Sequence, residues 1–122
     1  MELLKEVYKT LTADSALTAG LADGAKGVRA DLTSYSGRYP VIVYQLISDV
    51  PDLFGDDLEA WRRVTVQISI VTTDGADNAL VKLVKKDMQE AGWIRESTQR
   101  VTDGENRITA IRYMKVDTES EE

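Results

Sequence analysis

Seven residues of strict alternation, Val64-Thr65-Val66-Gln67-Ile68-Ser69-Ile70, constrain this chain more than any other stretch. In an extended strand the four β-branched apolar side chains stand on one face, and Thr65, Gln67 and Ser69 on the other. A strand of this kind needs hydrogen-bonding neighbours in a sheet and an apolar layer over one face only.

The layer comes from two amphipathic segments. Leu3, Leu4, Val7, Tyr8 and Leu11 recur at helical spacing, while Glu2, Lys5, Glu6 and Lys9 face away. Asp14 is a capping residue for a short second helix over residues 15–21. Thr73-Asp74-Gly75 predicts the start of a helix over residues 76–91, with Ala76, Leu80, Leu83, Val84, Met88 and Ala91 as its stripe and Gly92 as its stop. Glycines at 20, 24 and 27 predict a loop over residues 22–39.

Three further strands are expected. Pro40 opens Val41-Ile42-Val43-Tyr44-Gln45-Leu46-Ile47, apolar on both faces. Residues 93–101 and 107–116 form a hairpin around Asp103-Gly104, a pair that favours a type I′ turn. A two-residue turn there sets Arg100 opposite Arg107 and Arg95 opposite Arg112, an unfavourable register unless acidic neighbours or a bulge relieve it. The fold class is therefore α+β: a two-layer sandwich, two main helices on one face of a mainly antiparallel sheet of about four strands. Its 122 residues fit one domain, residues 1–118, with 119–122 a frayed acidic tail.

Chemistry is harder to find. There is no histidine and no cysteine. That removes Ser-His and Cys-His pairs, disulfides and thiolate metal sites. No Gly-rich phosphate loop follows a strand. No catalytic residue, cofactor or metal is assigned, and the chain is not expected to be an enzyme. A net charge of −6 disfavours nucleic-acid binding through phosphates. No apolar run approaches a membrane span, and the acidic N-terminus is unlike a signal peptide, so synthesis in a cytoplasm is expected.

The most unusual local feature is residues 49–59, Asp-Val-Pro-Asp-Leu-Phe-Gly-Asp-Asp-Leu-Glu. A Ca²⁺ or Mg²⁺ site would draw on Asp52, Asp56, Asp57 and Glu59, but their spacing does not follow an EF-hand ladder. A solvated loop is the plainer reading. An interaction arm is the third, because Leu53, Phe54 and Leu58 are apolar residues set in charge. Asp56 and Asp57 belong to the same candidate surface. So does Trp61, read either as strand packing or as an interface anchor. The hairpin arginines 95, 100, 107 and 112 form a more basic region, and such asymmetry suits head-to-tail contacts between identical subunits.

Taken together, the amphipathic first helix, the short helix with Asp14 and Leu17, and the segment Arg38-Tyr39-Pro40-Val41-Ile42-Val43-Tyr44-Gln45-Leu46 form a familiar order. An acidic loop, the alternating strand, the helix ending at Gly92-Trp93 and a closing hairpin complete it. Over nearly its full length the chain resembles the tail-completion (tail terminator) proteins of long-tailed bacteriophages, which are often carried in prophages. The resemblance implies a structural virion protein, assembled in the host cytoplasm, that caps the head-proximal end of the tail tube as a ring, usually a hexamer. Its partners would be itself, the tail tube protein and the head connector or completion protein, with DNA passing through an acidic lumen. Two other readings stand beside it: a head-completion or neck protein, and a non-viral α+β adaptor domain that binds a protein partner.

Overall fold

A computed structural model describes residues 2–30, 38–52 and 61–118. In chain order the elements are α1 (Glu2–Thr12), α2 (Ser15–Ala19), a 3-10 turn (Gly24–Gly27), β1 (Val28–Arg29), β2 (Val41–Asp52), β3 (Trp61–Thr72), α3 (Asn78–Glu90), β4 (Ile94–Asp103) and β5 (Asn106–Thr118). The strands form one sheet in the order β1-β2-β3-β5-β4, antiparallel except for the β1–β2 pair.

The alternation in β3 does what its chemistry requires. Val64, Val66, Ile68 and Ile70 are fully buried beneath the helical layer. The cross-strand partners of Val66 and Ile68 on β5 are Tyr113 and Ile111, and both join the same core. Leu3, Val7 and Leu11 of α1, with Leu80, Val84 and Met88 of α3, supply the opposing surface. The α+β two-layer sandwich is thus present, with both main helices on one face.

Among the described residues the sheet has five strands rather than four. Val28 and Arg29 pair in parallel with Ile42 and Val43, inside the region expected to be a loop. Two residues are too short to carry an alternation signal, and the pairing comes from tertiary packing, with Val28 buried. β2 also runs five residues past its expected end. A bulge at Ile47 shifts its register, after which Asp49 lies opposite Val64 and Pro51 opposite Arg62. Pro51 is tolerated because no described strand pairs with the outer side of β2 there. Asp49 is therefore a strand residue, 3.2 Å from Arg62, and not part of a free acidic loop.

Helix α3 starts two residues later than expected. The side chain of Asp74 accepts the Ala76 N–H at 3.0 Å, whereas the buried Asp77 carboxylate is drawn across to the sheet. There it accepts from Thr109 Oγ1 at 2.5 Å and from Arg100 at 3.3 Å. The other end follows the glycine rule. Gly92 has φ 93°, Trp93 N–H donates to Met88 O and Gly92 N–H to Gln89 O, both at 3.0 Å. This is a Schellman motif, and its apolar contact is the buried Trp93–Met88 pair.

The hairpin turn is Gly104-Glu105, one residue later than Asp103-Gly104, since Asp103 pairs with Asn106. Gly104 takes φ 62° at the first central position, where type II′ turns need glycine. This slides the strands so that Arg100 faces Thr109 and Thr102 faces Arg107. The same register sets Ser97 against Arg112, and a bulge at Glu96 then places Arg95 against Tyr113. Every arginine–arginine pair of the simpler register is avoided.

Ile68 lies midway along β3 with no exposed surface. Ile68→Ala is expected to cost about 2–5 kcal/mol through lost burial and the cavity left behind. Urea unfolding should show a lower midpoint with an unchanged slope.

Candidate assembly surfaces

Leu53, Phe54, Asp56, Asp57 and Leu58 lie outside the described residues. Trp61 opens β3, its backbone paired with Asp52 on one side and Thr118 on the other. The four hairpin arginines do not form one patch. Arg95, Arg100 and Arg107 register with the helix-side face, and Arg112 lies on the opposite face, donating to Gln67 at 3.1 Å. Arg100 is already engaged by Asp77.

The sheet is unequal at its two edges. β4 pairs with β5 alone, and among the described residues nothing pairs with its outer side. Its ten residues are almost all exposed, with Ile94 59% and Val101 48% accessible. The bulge at Glu96, with Arg95, Arg100 and Asp103, discourages indiscriminate strand addition and leaves residues 97–103 regular. At the other edge β1 covers only Ile42 and Val43, so β2 from Tyr44 onward has no described neighbour on that side. One protomer therefore carries two long, dissimilar edges.

The face away from the helices is also distinctive. Val43, Ser69, Val71 and Ala110 lie at its centre, beside a shallow hollow of about 320 Å³ whose outer wall includes Gln99 and Val101 of β4. Small side chains there let another surface approach the sheet closely. The apolar part of this face is continuous with the β4 edge.

A second cluster joins the helices. An open cleft of about 470 Å³ between the α1–α2 junction and α3 is lined by Asp14, Lys86, Asp87 and Glu90. Asp14 caps α2, its Oδ1 accepting from Ala16 N–H at 3.0 Å and Leu17 N–H at 3.2 Å. Asp87 is buried on the inner stripe of α3. The remaining oxygen of each, Oδ2, is buried without a conventional partner. Burial first, then its hydrogen bond to Asp14, pushes the Asp87 carboxyl up to about 7. Asp14 is held below the usual range, first by that same hydrogen bond and then, against the effect of burial, by the Leu17 and Ala16 N–H groups. A single proton held between the two carboxyls satisfies both orphaned oxygens. Asp14 is legible in sequence as a cap, but no spacing links it to a residue 73 positions later. Among the described residues no three His, Cys, Asp or Glu side chains are grouped to hold a metal ion, and no helix is long and apolar enough to cross a membrane.

The chain matches no protein-family model and no curated protein sequence.

The carboxyl pair has a signed consequence. The folded-state pKa of Asp87 is raised from 3.8 to about 7, so its contribution is complete below the unfolded value and is lost as pH rises through 7. Asp14 acts oppositely, losing its contribution only as pH falls below the ordinary carboxylate range. Asp87→Asn keeps a donor for Asp14 without the charge. Thermal melts at pH 5 and pH 8 should show the variant gaining on the wild type at pH 8, with the difference shrinking or reversing at pH 5.

Proposed function

We propose that this protein is a non-enzymatic structural subunit that associates head-to-tail with copies of itself and caps the head-proximal end of a phage tail tube as a ring. The observation that carries the reading is the pair of dissimilar edges on one sheet, β4 and the outer side of β2 beyond Val43, that no described strand covers. Unlike edges favour a heterologous contact, which repeats around a ring if the rotation closes. Identical, self-complementary patches would favour a two-fold dimer instead. The whole-chain resemblance to tail-completion proteins supplies the setting, and the α+β sandwich is compatible with it. A net charge of −6 suits a lumen through which DNA must slide without arrest.

In this reading Ile94 and Val101 are contact residues. Both are exposed and lie on the helix-free side of β4, so charging them leaves the core intact. Light scattering on the purified protein, alone and mixed with tail tubes, is the test. A hexamer-sized species, or a monomer that joins tube ends, supports the proposal. Ile94→Lys with Val101→Lys should abolish that association while the circular dichroism spectrum stays unchanged. A protein that caps DNA-filled heads but ignores tubes would be a neck protein, and one indifferent to both would be an adaptor.

A further inference from the structure

The outer surface of α1 carries an aromatic groove at the margin of the core, against which Leu4 and Tyr44 are only partly buried. Leu4 and Tyr8 of α1 face Tyr44 of β2 and Ala30 across about 410 Å³ of mainly apolar space. The rings of Tyr8 and Tyr44 lie 6.2 Å apart with their planes tilted by 50°. Tyr8 is exposed, and so is Leu46, two residues along β2 from Tyr44. Burial of this ring surface is incomplete for two tyrosines set against each other, which leaves room for a further apolar side chain.

The rim of the groove is basic. Lys5 and Lys9 line it directly, and Lys26 and Arg29 line a second hollow that shares Tyr8 and Ala30 with the first. Each residue advances a helix by about 100°, which places Lys5 and Lys9 on the Tyr8 flank of α1 and turns Glu6 to the far flank. Neither lysine pairs with a carboxylate among the described residues. Within a protein of net charge −6, this is a local reversal of sign.

The matching chemistry occurs once in the chain. Residues 49–60 hold five carboxylates, no lysine or arginine, and the apolar residues Leu53, Phe54 and Leu58. We infer that the groove walled by Leu4, Tyr8 and Tyr44 receives this acidic, apolar segment from a second copy of the chain. Apolar side chains pack onto the flank of the tyrosine pair that faces the groove, and the flanking carboxylates meet Lys5 and Lys9. The inference deepens the ring reading, on which it rests for the identity of the assembly, by naming the contact between neighbours.

Covalent geometry requires the segment to come from another molecule. From Tyr44 to the end of β2 at Asp52 is eight residues, about 26 Å at the rise of a strand. Phe54 is two residues beyond Asp52, so its backbone is tethered within roughly 7 Å of the strand end. Leu58 is three residues before Trp61, the cross-strand partner of Asp52, and its tether is roughly 11 Å. Neither reaches a groove centred on Tyr44 of the same chain. Val50 and Pro51, toward the end of β2 distant from Tyr44, are exposed. A donor arm at one end and an acceptor groove at the other make a heterologous contact by construction.

The test separates this contact from the ring itself. A fluorescein-labelled peptide of residues 49–60 is titrated into full-length protein carrying Leu53→Ala and Phe54→Ala, whose groove remains available, and anisotropy is read. Saturable binding that weakens with salt is expected. It should fall at least tenfold in Lys5→Glu/Lys9→Glu and in Tyr8→Ala, all exposed positions. A peptide with Asp56→Lys and Asp57→Lys should recover affinity for the charge-reversed protein. Absence of saturable binding, or binding indifferent to both sets of groove variants, overturns the inference. Peptide binding without any assembly on tubes would leave the groove standing and remove the ring. Assembly undiminished by Lys5→Glu/Lys9→Glu would do the reverse.

Discussion

Everything in this fold depends on β3 being paired on both sides and covered on one. Val64, Val66, Ile68 and Ile70 have no exposed surface, and each lies over a helix stripe rather than over a second sheet. Once that face is committed, register is fixed across the sheet, because a one-residue slip would exchange the valines and isoleucines for Thr65, Gln67 and Ser69. The bulge at Ile47 adjusts β2 to β3, the one at Glu96 adjusts β4 to β5, and the β3–β5 pairing runs without a shift. The bulges sit toward the periphery, where a strand can bend without disturbing the central pairings.

Among the described residues, placing both helices on one side leaves the other face without a helical layer and the sheet with two unlike edges. A barrel or a second helical layer would remove these surfaces. The chain instead keeps them and restrains them by charge, a bulge and a proline. Specific association is a natural use of a surface kept open in this way.

Long periodic elements were legible in the sequence, and short or non-local ones were not. Helix stripes and the β3 alternation are local patterns, and they appear in the structure with the faces expected except at their margins, where Tyr8 is exposed and Ala76 is exposed ahead of α3. β1 escaped because two residues hold no periodicity, and its partner lies fourteen positions away. The turn was misplaced by one residue because Asp103-Gly104 and Gly104-Glu105 are both compatible with a glycine at positive φ; only the arginine repulsion discriminates between them, and it is a sum over the hairpin. Helix α3 began late because Asp77, on local rules a capping residue, has a stronger claim from Thr109 and Arg100 across the sheet. Of the candidate surfaces, residues 53–60 lie outside the described residues. The groove was not legible in the sequence, since Tyr8 and Tyr44 are thirty-six positions apart and each looks like ordinary core in its own element.

The Asp14–Asp87 pair shows how a local rule and a global one meet at a single proton. Helix α2 has five residues, too few to hold itself together, and depends on its cap and on the burial of Leu17. An aspartate cap uses one oxygen for the N–H groups and leaves the other to find a partner. Packing α2 against α3 takes that second oxygen out of water, where an unmet acceptor costs about 1–3 kcal/mol. A serine or alanine at position 87 would leave it stranded or poorly met, whereas a carboxyl that holds its proton near neutrality donates to it directly. The same arrangement becomes repulsive once the proton leaves, with Lys86 at 3.8 Å from Asp87 Oδ1 only partly offsetting the second charge. The helix layer that shapes the groove is therefore pinned most firmly on the acid side of neutral, and the raised Asp87 carboxyl follows from the capping requirement of α2 without any catalytic purpose.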